Sequence, residues 1–444
     1  MAVSQTMTSP DILEKLAAYV PGPVMQAIYR NPQPLTQAIH RRFPAAVLFS
    51  DISGFTPLSE LLHKAGPTGA EDLTYFINQY FTQMIELIDR HQGQVVKFSG
   101  DALTALFPAE DYSMQIAVRL AGECALAMQA EMAGFARIET PRGAVSLSMK
   151  AGVGAGQVLE ASIGGVLGRW EYVVCGDPLV QVALAERQAK PGQTIFSPQA
   201  WAMAKSYFSG VALADDFINV SQVRTPLTLA PPVAIDWSKL GWEQRTLAEK
   251  ALQRYIPGAI KARLNEQSEW LAELRRMTTL FIGIGGFDFE ADDAPEKLQV
   301  FLQATQELIY RFEGSLGKVA VDDKGTVLII LFGAPPFFHE DDARRGVACA
   351  IALQAVAREQ GLRMSIGITE GLIFAGPVGA PNRREYTVIG DQVNLAARLM
   401  QYGRAGTILI TERVKDRAGP HFITESLGRI TLKGKTQTEA AYEV

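Results

Sequence analysis

The sequence predicts an α+β protein made of two copies of one domain, each built on a ferredoxin-like βαββαβ sheet. Segments of the first half return in the second half in the same order: "VLFSDISGF" (47–55) as "TLFIGIGGF" (279–287), and "YVVCGDPLVQVALAERQ" (172–188) as "YTVIGDQVNLAARLMQ" (386–401). In each copy, strand-sized apolar runs alternate with helical patterns around a central hairpin. Because the repeated unit has the size of a domain, the pattern indicates a duplicated domain and not a solenoid.

The elements of the two copies are predicted in matching order. Each copy begins with a short helical segment that is broken at a Pro-Gly pair, Pro21-Gly22 in copy one and Pro257-Gly258 in copy two. An amphipathic helix then follows the first strand, with apolar residues at helical spacing. The other predicted elements, for copy one and copy two, are a first strand (45–50; 278–282), a hairpin (94–107; 316–332), a third helix (113–132; 341–359), a further strand (145–153; 363–369) and a strand–turn–helix (171–187; 385–401).

The predicted domain boundaries follow this repeat. They are a helical preface (1–42), a first domain (43–230), a junction with the helical preface of copy two (231–276) and a second domain (277–444). The glycine-rich stretch "GVGAGQ" (152–157) lacks the G-x-G-x-x-G spacing of a dinucleotide site, and it predicts a strand end followed by a turn.

Composition and charge argue against several classes of function. A net charge of −5 over 444 residues gives no electrostatic reason to expect nucleic acid as a partner. No apolar run reaches the roughly 18 to 20 residues of a membrane span, and the first residues do not resemble a secretory signal. The three cysteines are scattered singly, which predicts free thiols and a cytoplasmic location. The five histidines show no metal-ligand spacing.

Two carboxylates are predicted to meet at one end of the first sheet. Asp101 lies at the turn of the hairpin "KFSGDALTALF", and Asp51 ends the apolar strand before it. Since the first strand and the hairpin are neighbours in a βαββ unit, the two acids and the carbonyl of Ile52 form an oxygen site suited to Mg²⁺. Each acid alone also fits a turn or cap residue. The following loop, Gly54-Phe55-Thr56, opens a helix whose N-terminal N–H groups favour phosphate.

The second copy lacks this pair and carries other polar residues. Gly283 replaces Asp51, and Thr326 stands near the Asp101 position. Asn394 and Arg398 lie four residues apart on a helix and therefore share one face, whereas copy one has Val180 and Leu184 there. A surface Asn and an ion-pairing Arg would explain either residue alone. The contrast is complementary, however, because each copy has what the other lacks.

This pattern resembles the class III nucleotidyl cyclases, and in particular the tandem catalytic region of the soluble, bicarbonate-responsive type of adenylyl cyclase. The motifs that carry the resemblance are "FSDISGFT", "KFSGDALTALF" and "EYTVIGDQVNLAAR". The resemblance covers nearly the whole chain. It implies two cyclase domains packed head-to-tail as an intramolecular pseudo-dimer, with composite sites at their interface. A chain of this kind would work as a monomer, with regulatory domains fused to it or associated with it.

The resemblance implies a role for each matched residue. Asp51 and Asp101 would bind two Mg²⁺ ions, with Mn²⁺ also supporting activity, and Lys150 would reach the terminal phosphates. Lys318 and Thr387 match the residues that read adenine, with Val388 beside them in the substrate site. Asn394 would orient the ribose, and Arg398 would stabilise charge in the transition state. The remaining implied residues belong to a degenerate, regulatory site: Lys97, Val174, Ala183, Arg187 and Val321.

The implied reaction is that of an adenylyl cyclase acting in signal transduction. The ribose 3′-hydroxyl of ATP attacks the α-phosphorus with the help of two metal ions, and the products are 3′,5′-cyclic AMP and pyrophosphate. Two alternatives stay open. One is a catalytically silent nucleotide-sensing module. The other is a polymerase-like or diguanylate-forming enzyme, which would not need Asn394 and Arg398. In the relatives an arginine at the position of Ala183 helps bind bicarbonate, so weak or absent bicarbonate activation is expected here.

Overall fold

A computed structural model describes residues 10–444, except 56, 57, 59, 60, 63–66, 111, 141, 142, 229, 232, 233, 259, 262–272, 323, 324 and 433–437. The chain divides into two compact units, and each takes a short segment from the other sequence copy. Unit 1 comprises 1–160, 174–256 and 377–385, and unit 2 comprises 161–173, 257–376 and 386–444.

The elements of copy one appear in the predicted order, with additional short strands and a helix near its end. They are α1 (Pro10–Ala17), α2 (Gly22–Arg30), β1 (Ile39–Ser53), α3 (Pro67–Arg90), β2 (Gln94–Ser99), β3 (Ala102–Pro108), α4 (Met114–Glu131), β4 (Ile138–Thr140), β5 (Gly143–Val145), β6 (Ser148–Gly164), β7 (Trp170–Cys175), α5 (Asp177–Gln188), β8 (Thr194–Phe196), α6 (Pro198–Ala204), β9 (Phe208–Ala212) and β10 (Ile218–Val223).

Copy two repeats this order without counterparts of β4 and β5 in the described residues. Its elements are α7 (Trp242–Gln253), β11 (Glu273–Gly285), α8 (Ala294–Arg311), β12 (Ser315–Asp322), β13 (Gly325–Phe332), α9 (Asp342–Glu359), β14 (Arg363–Ala380), β15 (Arg383–Ile389), α10 (Asp391–Tyr402), β16 (Ile408–Thr411), α11 (Glu412–Ala418), β17 (Glu425–Ile430) and β18 (Glu439–Glu443). Helix α7 belongs to unit 1, where it packs against α1.

The sheet of copy one confirms the predicted ferredoxin-like core. Its strand order is β2-β3-β1-β6-β8-β10-β9, with β7 paired to β6, and the first four strands have the βαββαβ arrangement. Strands β1 and β3 pair antiparallel with Ser50 opposite Leu103. The sheet of copy two has the equivalent order β12-β13-β11-β14-β16-β18-β17, and Ile282 lies opposite Leu328. The two registers align Asp51 with Gly283 and Asp101 with Thr326.

The prediction of a strand end and turn at 152–157 is wrong, because these residues lie inside β6. The glycines allow helix α5 to pack directly on the strand. A Cβ atom on Gly152 would lie 2.6 Å from the carbonyl oxygen of Val182, and one on Gly154 would lie 2.8 Å from that of Pro178. Close helix–strand contact thus explains the glycines.

The packing of each unit follows the hydrophobic pattern. In unit 1, the side chains of Tyr80, Phe81 and Phe98 are fully or almost fully buried between α3 and the sheet, and Phe81 packs edge-to-face on Phe98 with 4.9 Å between ring centroids. The three cysteines are buried free thiols, as predicted. In the described part of the chain, no helix combines the length and the apolar character required to cross a bilayer.

Candidate active site

The structure brings Asp51 and Asp101 together at one end of the first sheet. Asp51 lies near the end of β1, and Asp101 follows Gly100 in the tight turn between β2 and β3. Gly100 has φ +69°, a left-handed conformation that suits glycine and allows the two strands to reverse within two residues. Burial, followed by repulsion from Asp51, raises the pKa of Asp101. The two carboxylates are therefore close enough to repel each other when both are ionised.

A second acid and a lysine share the surroundings of Asp51. Burial is the largest cause that raises the pKa of Asp51, Glu186 is the next, and Lys150 opposes them. Lys150 is on β6 and Glu186 on α5, and the Lys150 Nζ atom lies 3.0 Å from Glu186 Oε1. The structure thus places Lys150 beside the predicted metal ligands, as an ion-pair partner of an acid that the sequence interpretation missed.

A polar side chain lies beneath the acid pair. Tyr80 on α3 is fully buried, which raises the pKa of its phenol above the usual value, and its hydroxyl group donates to the Met149 sulfur at 3.6 Å. Both Asp51 and Asp101 act on it electrostatically. The equivalent of Tyr80 in copy two, 221 residues later, is Phe301. Copy one therefore has a buried hydroxyl group within the electrostatic influence of its two carboxylates, and copy two has none at the equivalent position.

The loop after Asp51 has a conformation that only glycine adopts readily. Gly54 has φ +98°, and a Cβ atom there would lie 2.5 Å from the carbonyl oxygen of Ser146. Ile52 and Phe55 are buried, and a helical turn begins at Phe55. The Leu58 N–H group donates to the Gly54 carbonyl oxygen at 3.3 Å. Thr56, which the sequence assigned to this loop, lies outside the described residues.

The residues expected to read the base and to act in the transition state lie in unit 2. Lys318 follows a β-bulge in β12, where the register to β13 shifts between Leu316 and Lys318. A bulge rotates the next side chain relative to the regular pleat. Thr387 and Val388 are on β15, with Val388 buried. The remaining pair, Asn394 and Arg398, shares one face of α10, where Asn394 is exposed and Arg398 partly buried.

The residues of the expected degenerate site are distributed over several elements. In unit 1, Lys97 on β2 follows a bulge like that of Lys318, with a register shift between Val95 and Lys97. Val174 is on β7, and Ala183 and Arg187 are on α5. Val321 is on β12 of unit 2 and is buried.

Copy two has no charged group at the positions of the acid cluster. A Cβ atom on Gly283 would lie 2.7 Å from the Met400 sulfur and 3.4 Å from the Ser365 hydroxyl oxygen. Ser365 is the counterpart of Lys150, because each lies two residues before an aligned glycine of the long strand. Met400 is the counterpart of Glu186, because each lies ten residues after the glycine that precedes the helix. This comparison within the sequence is the signal that could have identified Glu186.

The donor set of copy one fits divalent metal ions. Asp51 and Asp101 are largely buried carboxylates with raised pKa values, and a cation between them would offset both the desolvation and the mutual repulsion. Within the described ranges, no group of three or more His, Cys, Asp or Glu side chains is arranged to hold a metal ion. Two carboxylates completed by oxygens of water and phosphate are the usual ligands of protein-bound Mg²⁺.

Comparison with known protein families shows to which family the chain belongs. The model of the adenylate and guanylate cyclase catalytic domain matches residues 39–218 and again residues 272–443, one match in each copy. The chain belongs to the adenylate and guanylate cyclase catalytic domain family. It is 26% identical to adenylate cyclase type 10 of Rattus norvegicus over 460 residues, which cover 97% of this chain and 28% of the relative. The same protein of Homo sapiens is also 26% identical, over 461 residues, with the same coverage of 97% and 28%.

The fold of this cyclase-family chain also has a counterpart among solved structures. A class III adenylyl cyclase-like ATP-binding protein from Pseudomonas aeruginosa matches with a TM-score of 0.58 and 15% identity, covering 94% of both chains. This likeness shows the fold. The present chain spans just over a quarter of the length of the type 10 relatives.

Proposed function

We propose that this protein is an adenylyl cyclase that converts ATP to 3′,5′-cyclic AMP and pyrophosphate at a single active site with residues from both copies. One observation carries the proposal: the charged cluster of Asp51, Asp101 and Lys150 occurs only in copy one, and the Asn394–Arg398 pair occurs only in copy two. Two equivalent sites would need both sets in both copies. The complementary loss is the expected result when selection maintains one composite site.

The side chains of copy one bind the charged part of the substrate. Asp51 and Asp101 would hold two divalent ions, Mg²⁺ or Mn²⁺, and these supply a lowered pKa for the ribose 3′-hydroxyl and charge neutralisation of the triphosphate. The Lys150 ammonium group offers three N–H donors to the terminal phosphates. The Gly54 turn leads into the helical turn that begins at Phe55, and N–H groups at the start of a helix would favour phosphate oxygens.

The side chains of copy two recognise the nucleoside and the reacting phosphate. Lys318 would donate to a ring nitrogen of adenine, and the Thr387 hydroxyl group would accept from its exocyclic amine. Asn394 would orient the ribose so that the 3′-oxygen faces the α-phosphorus. Arg398 would stabilise the negative charge that develops on the α-phosphoryl oxygens during attack.

We also propose an oligomeric state and a location. We expect the chain to act as a monomer, because its two copies supply both halves of one site. We expect its location to be the cytoplasm. Regulation would then come from the degenerate site or from associated domains. The relatives named adenylate cyclase type 10 support the choice of adenylyl over guanylyl cyclase.

Turnover with product identification tests the function. The purified protein is incubated with Mg²⁺ or Mn²⁺ and either ATP or GTP, and the products are separated by chromatography and identified by mass. Cyclic AMP with an equal amount of pyrophosphate is the expected result. Binding of ATP without any cyclic product under either metal ion would instead identify a catalytically silent nucleotide-sensing module.

A further inference from the structure

Lys150 and Glu186 form an ion pair within the acid cluster of unit 1. Their charged atoms are 3.0 Å apart, and their side chains are 26% and 20% exposed. Lys150 also acts on Asp51, because it opposes the rise of the pKa of that carboxyl group. The lysine therefore lies within the influence of two acids and is hydrogen-bonded to one of them, Glu186.

Glu186 is close to the metal-binding acids without belonging to their donor set. It raises the pKa of Asp51 through its charge, second only to burial. Yet the described residues contain no arrangement of three or more acidic, histidine or cysteine side chains that could hold a metal ion. Glu186 therefore does not form a three-carboxylate metal site with the two expected ligands.

The second copy shows that the fold itself does not need this ion pair. Helix α10 packs on its strand with Met400 at the position of Glu186, and Ser365 is at the position of Lys150. The aspartate, the lysine and the glutamate are therefore all absent from the copy that has lost the metal site. Their joint loss links Glu186 to the function of the acid cluster.

We propose that Glu186 is a positioning residue that holds the Lys150 ammonium group away from Asp51 and thereby leaves Asp51 available for a divalent cation. This inference rests on the proposed function, since it assumes that Asp51 and Asp101 bind metal. A lysine beside two partly desolvated carboxylates pairs with an acid, because an uncompensated charge there is costly. Without Glu186, Lys150 would still act on Asp51, and the lysine would compete with the metal ion for that carboxylate.

The lysine held in this way would also be ready for the substrate. Glu186 is on a helix and Lys150 on a strand, so both partners start from rigid elements. On substrate binding, the ammonium group would exchange the Glu186 carboxylate oxygen for oxygens of the triphosphate. The pair therefore keeps Lys150 close to its expected role without blocking the metal ligands.

The test is a double-mutant cycle that measures Mn²⁺ binding in the nucleotide-free full chain. Calorimetry gives the affinity for wild type, Glu186→Gln, Lys150→Met and the double variant. Glu186→Gln should weaken Mn²⁺ binding about 10-fold or more, the scale on which outer-shell partners act. The same change should have almost no effect in the Lys150→Met background, because no lysine remains to compete. An equal loss in both backgrounds would overturn the proposal and assign Glu186 a purely electrostatic effect on the metal.

A matched control uses Glu160, an ion-paired glutamate on β6, the strand that carries Lys150. Glu160 pairs with Arg41, ten residues along β6 and roughly 33 Å from Lys150 at the rise of an extended strand. Glu160→Gln removes the same charge and should leave Mn²⁺ affinity unchanged. If wild type binds no Mn²⁺, or if Asp51→Asn and Asp101→Asn bind it normally, the proposed function fails. Normal wild-type binding with an unaffected Glu186→Gln variant overturns this inference alone.

Discussion

The position of Gly283 lies directly against Met400: a Cβ atom on the glycine would be 2.7 Å from the sulfur. At the equivalent place in copy one, Asp51 lies near the charge of Glu186. The second copy has thus replaced a carboxylate and its charged surroundings by a closely packed, uncharged contact. This exchange explains why we assign metal binding to copy one alone.

Substitution of Gly283 should therefore destabilise unit 2. Gly283→Ala introduces a Cβ atom against the Met400 sulfur, and we expect it to lower the free energy of unfolding by about 1 kcal/mol, because the flexible methionine side chain absorbs part of the overpacking. Gly285→Ala is the matched control, because a Cβ atom there meets nothing within 4 Å. Urea unfolding measures both. Equal stability of the two variants would show that Met400 moves aside without cost.

The free energy of unfolding of the metal-free protein should fall as the pH rises, in part because Asp101 ionises. Burial and repulsion by Asp51 raise the pKa of Asp101 to about 8 in the folded state, from an unfolded value of about 4. The folded state therefore binds the proton more tightly, and this contribution is lost as the pH rises from about 4 through about 8. Asp101→Asn cannot ionise, so its melting temperature in EDTA should exceed that of wild type increasingly from about pH 5 to about pH 9. A difference that does not change with pH would contradict this assignment.

Base recognition should depend on Lys318. Lys318→Glu replaces the proposed donor to adenine by an acceptor, so kcat/KM for ATP should fall about 10-fold or more, with a smaller change for GTP. The measurement is the ratio of kcat/KM values for ATP and GTP in wild type and variant. A matched control is Lys297→Glu on α8, an exposed lysine paired with Asp293. The assignment of Lys318 would be wrong if wild type used GTP as well as ATP.

Bicarbonate should activate this protein weakly or not at all. Ala183 on α5 stands where the resemblance to the bicarbonate-responsive cyclases implies an arginine, and Lys97 alone cannot provide the bidentate donors that a planar oxyanion prefers. Cyclic AMP formation is measured at fixed pH and ionic strength while bicarbonate replaces chloride. Saturable stimulation of several-fold would refute the prediction. Loss of that stimulation in Arg187→Ala would then show that the exposed arginine one turn later has taken over.

The sequence was sufficient for the core of each copy and for the acid pair, because both follow from local patterns and strand adjacency. Asp51 lies near the end of β1 and Asp101 in the turn just before the neighbouring strand β3, so their proximity could be predicted. Glu186 could not be assigned from its own segment, since its function depends on which turn of α5 faces Lys150. Gly152 and Gly154 were misread as a turn because glycine signals a close approach as well as a chain reversal. The strands β8, β9 and β10 are too short for a clear period.

Cyclic AMP formation by four matched variants tests whether one active site uses complementary residues of the two copies. Asn394→Ala and Arg398→Ala remove residues on α10, and Val180→Ala and Leu184→Ala change the equivalent positions on α5. We expect Arg398→Ala to lower kcat about 100-fold or more, the scale for loss of transition-state charge stabilisation, and Asn394→Ala to impair turnover as well. The two α5 variants should retain wild-type kcat. Equal impairment by the α5 and α10 variants, or wild-type activity in Arg398→Ala, would contradict the proposal of one composite site.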